Sequence, residues 1–130
     1  MTGQDGIGRE KVPLDLFELA RNTRTITVRS EAFGVEFEVT YAPAEWTQPL
    51  QQLCLDAFRN DEATEGFSKA LCQLIKSWQV TFKGKPVPIV PEVFLGTYKA
   101  EEGFRFPLKL IAEIFNAIWA DMNPNPPSSG

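Results

Sequence analysis

The chain has 130 residues, 43% of them apolar and 23% charged, with a formal net charge of −4. That length suits one domain with a core of its own, with no room for a second. The acidic balance argues against a generic nucleic-acid binder, and no apolar run is long enough to span a bilayer.

In chain order, Met1 to Val12 carries three glycines and mixed charge with no apolar period, and is expected to be a disordered arm. Its Gly6-Ile7-Gly8 lacks the preceding strand and third glycine of a phosphate loop. No basic, then apolar, then small-residue leader is read there, so a cytosolic protein is expected. Pro13 opens a short helix, PLDLFELARN, expected to turn Leu14, Leu16, Phe17 and Leu19 toward the core. At two turns it needs tertiary support.

Thr25 to Arg29 and Val35 to Tyr41 alternate and predict a β-hairpin. Ile26, Val28, Val35, Phe37, Val39 and Tyr41 form its apolar face, and Arg29 stands near Glu36 on the wet face. Ser30 to Gly34 is longer than a two-residue turn, with Gly34 free to take positive φ. Pro43 ends the second strand.

From Pro49 to Asn60 the spacing predicts a helix with Leu50, Leu53, Cys54, Ala57 and Phe58 on one face. The acidic segment 61–66 precedes a helix whose stripe is Phe67, Ala70, Leu71, Leu74, Ile75 and Trp78. Acidic groups before a helix N-terminus are favourable by about 0.3–1 kcal/mol, and the segment lacks the alternating ligands of a cation loop. Val80 to Phe82 is a candidate third strand. Lys83 to Pro86 is a turn, lacking the upstream glycine and following Ser or Thr of a nucleotide loop, and leads into a proline-rich extended segment ending at Pro91. For Glu92 to Lys99, a short helix and an irregular segment both fit.

Pro107 to Met122 is the dominant element, bounded by Pro107 and by Asn123-Pro124. One stripe is Leu108, Ile111, Ala112, Phe115, Trp119 and Met122. Leu110, Ile114, Ala117 and Ile118 widen it until Lys109, Glu113, Asn116, Ala120 and Asp121 remain as a polar strip. So much apolar surface supports two readings, a central core helix and a helix that keeps part of its surface for a partner. Under the second, Phe115, Ile118, Trp119 and Met122 are the candidate partner-binding anchors, with Trp119 foremost. The tail 123–130 is expected to be disordered, leaving 13–122 as a single α+β domain in which a hairpin packs on about three principal helices.

The chain contains no histidine and two cysteines. The commonest general base and metal ligand is therefore missing, and Cys54 and Cys72 fall within helical patterns without CxxC spacing, as buried thiols do. No nucleophile elbow, zinc spacing or dinucleotide fingerprint is present, so a non-catalytic protein with no cofactor and no metal is expected.

The order of features resembles the small tail assembly chaperones of long-tailed bacteriophages, especially those of actinobacterial phages. The resemblance rests on RTITV after the short helix, FEVTYAPAEWTQPL, LIKSWQVTFKGKPVP and the closing FPLKLIAEIFNAIWADMNPN, together covering residues 14 to 125. The chain departs from that group at Phe82 to Lys85, which is basic where an acidic turn is common. The resemblance implies a factor that binds the phage tape measure protein in the host cytoplasm, keeps it soluble while tube subunits assemble around it, and is absent from the virion. Many members of that group are made also as a longer product by ribosomal frameshifting. Contact with a tail tube subunit and self-association are further expectations; nucleic acid and membrane are not expected partners. A virion structural component, such as a tail-completion or connector subunit, and a phage-encoded adaptor or inhibitor of a host protein are the alternatives.

Overall fold

The computed structural model describes residues 12–98 and 106–123. The expected arm before Val12 and the tail after Asn123 lie outside them.

Arg24–Ser30 (β1) and Val35–Tyr41 (β2) form the hairpin, paired antiparallel from Arg24↔Tyr41 to Ser30↔Val35. Gly34 sits at φ 67°, and its N–H donates to the Ser30 carbonyl at 2.8 Å. Arg29 and Glu36 pair at 3.1 Å on the wet face. Val28, Phe37, Val39 and Tyr41 are buried, and Ile26 packs at the margin. Val35, expected on the same face, is exposed. It lies at the loop end of the hairpin, where its cross-strand neighbour Ser30 is covered through a polar contact with the last helix rather than by apolar packing.

The helices Gln48–Asn60 (α2) and Glu65–Leu74 (α3) start where threonines cap them. The Thr47 hydroxyl accepts from the Leu50 N–H and the Thr64 hydroxyl from the Phe67 N–H, each satisfying a donor that helix geometry leaves open. Leu50, Cys54 and Ala57 of α2 and Phe67, Leu71 and Leu74 of α3 are buried; Leu53 is left at the surface.

The helical stripe through Ile75 and Trp78 is not realised. The second helix stops at Leu74, and Ile75–Trp78 is a strand (β3) on the free edge of β2, giving the sheet order β1-β2-β3. A continued helix would leave that edge of β2 unpaired, whereas β-branched and aromatic residues suit a half-buried pleated position. The expected strand at 80–82 is reduced to Thr81–Phe82 (β4), paired with Lys85–Pro86 (β5) as a separate two-stranded turn. Trp78 fastens this region: its Nε1 donates to the Val87 carbonyl at 2.8 Å, and its ring stacks on Phe106 at 5.0 Å and touches Phe94 at 5.6 Å. Phe94 belongs to Pro91–Leu95 (α4), closed by Gly96 at φ 80°, so the first half of the segment left open by sequence is a short helix; Thr97 and Tyr98 are irregular, and Lys99 lies outside the described residues.

Leu108–Met122 (α5) runs antiparallel to β1. Ile111, Ile114, Phe115 and Ile118 are buried, so α5 is a core helix over most of its length. At about 1.5–3 kcal/mol per fully buried large side chain, these four are a principal part of the driving force for the fold. The architecture is α+β, with a three-stranded antiparallel sheet packed against α2, α3 and α5.

Candidate partner-binding surface

Two carboxylates of the expected polar strip fix α5 on the hairpin. Glu113 accepts from the Ser30 hydroxyl at 2.5 Å and from the Ala32 N–H at 3.2 Å, binding the hairpin loop. These hydrogen bonds, that of Ser30 first, hold its carboxyl below the ordinary value. Asp121 binds the opposite end of the hairpin. It accepts from the Tyr41 hydroxyl at 2.6 Å and from Arg24 at 2.8 and 3.2 Å, and Arg24 and Tyr41 are themselves cross-strand partners. Burial works against ionisation of Asp121, but the hydrogen bonds from Tyr41 and Arg24 and the charge of Arg24 outweigh it and keep its carboxyl below the usual range. Tyr41 is pushed up, by burial first and then by Asp121.

This anchoring positions the last turn of α5. Just before Asp121 stands Trp119, whose carbonyl accepts from both the backbone N–H and the side-chain amide of Asn123, each at 3.0 Å. Its ring meets Trp46 edge-on at 6.2 Å and Phe115 at 6.1 Å, yet Trp119 remains 46% exposed. Beside it the first turns of α2 complete an open cleft of about 450 Å³, lined by Gln48, Pro49, Gln51, Gln52, Leu55 and Trp119. The lining carries no charged side chain, and Leu55 is also exposed. An exposed aromatic ring on a braced helix, an aliphatic neighbour and several amides make a surface suited to apolar burial with hydrogen bonds at its margin.

Of the four anchors expected from sequence, Trp119 is exposed and Met122 is partly buried against the core. Phe115 and Ile118 are core residues, 5% and 0% exposed, and face no partner in this conformation. The correction is physical: Phe115 is enclosed by Trp46 at 5.0 Å and Phe58 at 5.4 Å, and Ile118 lies on the inward side of the helix that the hairpin covers. The α2 half of the cleft was missed. Its Gln48, Gln51 and Gln52 form no apolar period, so only the position of Trp119 in space reveals them.

A second surface was expected to be core. Leu16–Arg21 (α1) rests on the 3-10 turn Pro43–Glu45, but Leu14, Leu16, Phe17 and Leu19 are 74%, 69%, 67% and 47% exposed. The sheet and the longer helices close the core without it, so six residues of periodicity could not show which way they would face.

Chemical groups elsewhere are quiet. Burial pushes the Cys54 thiol up to about 12, and burial together with Glu92 pushes Cys72 up to about 11. Among the described residues no set of three His, Cys, Asp or Glu side chains converges on a possible metal position, and no helix is long and apolar enough to cross a membrane. No family model, curated protein or solved structure matches the chain.

Proposed function

We propose that the protein is a phage tail assembly chaperone, a non-catalytic factor that binds the tape measure protein in the host cytoplasm and holds it soluble while the tail is built. The ordered sequence features described above supply the identity of the partner. The observation that carries the binding mode is Trp119, its ring packed against Trp46 and Phe115 and half exposed at the margin of an uncharged cleft. A helix of the tape measure protein would lay apolar side chains at i, i+3, i+4 spacing on Trp119 and Leu55, with the glutamines of α2 binding its polar edge. Bracing the anchor before binding reduces the ordering cost of association.

Co-expression tests the proposal. With this chain present, the tape measure protein of the same phage is expected to stay in the soluble fraction and to co-purify; without it, to sediment. Equal recovery in both cases would contradict the proposal, and finding this chain as a stoichiometric part of purified particles would favour a virion structural role.

A further inference from the structure

We infer that two copies of the chain associate through α1, with Leu16 and Phe17 of each copy seated in a cleft beside α1 of the other. The first ground is the helix itself. A six-residue helix is unstable in water unless packing supports it. Its local supports are the Asp15 cap on the Phe17 N–H, at 3.0 Å, and the exposed Glu18–Arg21 pair, at 3.5 Å. Such contacts give about 1 kcal/mol and a few tenths respectively. The Arg21 guanidinium also lies 5.3 Å over the exposed Phe17 ring, and one side of the helix touches the 3-10 turn Pro43–Glu45. The apolar side chains that normally supply the rest are turned outward.

The second ground is the neighbouring cleft, about 510 Å³, lined by Leu19, Asn22, Thr23, Arg24, Pro43 and Ala44. It is large enough for two apolar side chains, and Leu19 belongs both to its wall and to the exposed ridge. A ridge and a cleft side by side on one surface are what a twofold contact needs, because each copy then offers both halves and the contact closes at two. A partner of another kind needs only one half.

Area and charge agree with a second copy. The exposed parts of Val12, Leu14, Leu16, Phe17 and Leu19 come to about 500–600 Å² at about 150–200 Å² per large side chain. A standard interface takes about 800 Å² from each partner, and the cleft walls supply the difference. In a twofold contact every charge approaches its own copy. Here Arg21 is paired with Glu18 and Arg24 with Asp121, so the surface brings no uncompensated arginine to the contact. The association does not depend on the tape measure protein.

Sedimentation equilibrium of the full chain from about 1 to about 200 µM measures it. The wild type is expected to approach twice the monomer mass. Phe17→Asp, which alters the ridge, and Ala44→Arg, which fills the cleft, should each weaken the dimer at least tenfold. Phe33→Asp, at a comparably exposed aromatic on the hairpin loop, should not. Each weakened variant loses both contacts with itself, whereas a mixed pair of Phe17→Asp with Ala44→Arg keeps one. An equimolar mixture should therefore recover more dimer than either variant alone. Circular dichroism establishes that each variant is folded, and the ridge and cleft variants report independently. A wild type that stays monomeric, a dimer indifferent to both changes, or a mixture with no recovery would overturn the inference.

Discussion

Replacing Asp121 with alanine removes the carboxylate that joins α5 to both strands at the open end of the hairpin. The Tyr41 hydroxyl, on a fully buried residue, would lose its 2.6 Å acceptor. A buried polar group left unsatisfied costs about 1–3 kcal/mol. The Arg24 side chain is half exposed, so solvent screens its ion pair and the pair adds little. The expected loss is about 1–3 kcal/mol in urea unfolding followed by circular dichroism. Tyr41→Phe in the Asp121→Ala background should recover part of it, since the orphaned hydroxyl is then gone and the two changes are coupled. The pH dependence follows from the depressed Asp121 carboxyl. Its folded value lies below its unfolded value, so its contribution is complete above about pH 4 and is lost as pH falls through the folded value. The gap between wild type and Asp121→Ala should accordingly narrow on the acid side. A loss under about 0.5 kcal/mol near neutral pH, or a gap that widens in acid, would refute the role assigned to this carboxylate.

Ile118→Ala should cost about 2–5 kcal/mol in the same unfolding assay, as a fully buried core truncation does, whereas Trp119→Ala, with about half its side chain exposed, should cost about 1–2 kcal/mol. Gly34→Ala is expected to lose about 1–2 kcal/mol from backbone strain alone, because an added Cβ meets nothing within 4 Å but the residue sits at φ 67°. Cys54 should resist alkylation at pH 8 in the folded chain and react on unfolding, and Cys72 should label slowly, because both thiols stay protonated there; mass spectrometry of timed labelling checks this.

The strands of the hairpin were legible because alternation over seven residues is specific, and α5 because its caps and stripe are explicit. Ile75 to Trp78 was misread because a helical period ran on through residues that tertiary pairing made extended. The alternation of Trp78, Val80 and Phe82 was the signal that could have shown the break. The exposure of Trp119 was legible from its place near the helix end. Phe115 and Ile118 lie only four and one residues earlier, and periodicity alone does not say which flank of a helix its neighbours cover. Glu113 and Asp121 read as solvent-facing, since their partners Ser30, Ala32, Arg24 and Tyr41 are between 80 and 97 residues away in sequence. The direction of α1 was out of reach for the same reason.

Whether Trp119 anchors the tape measure protein is read by calorimetric titration of a soluble tape measure fragment into the wild type, Trp119→Ala and Phe33→Ala. Trp119→Ala, still folded by circular dichroism, is expected to bind at least tenfold more weakly, a loss of about 1.4 kcal/mol, while Phe33→Ala binds as the wild type does. Equal affinity for the wild type and folded Trp119→Ala would contradict that anchoring role.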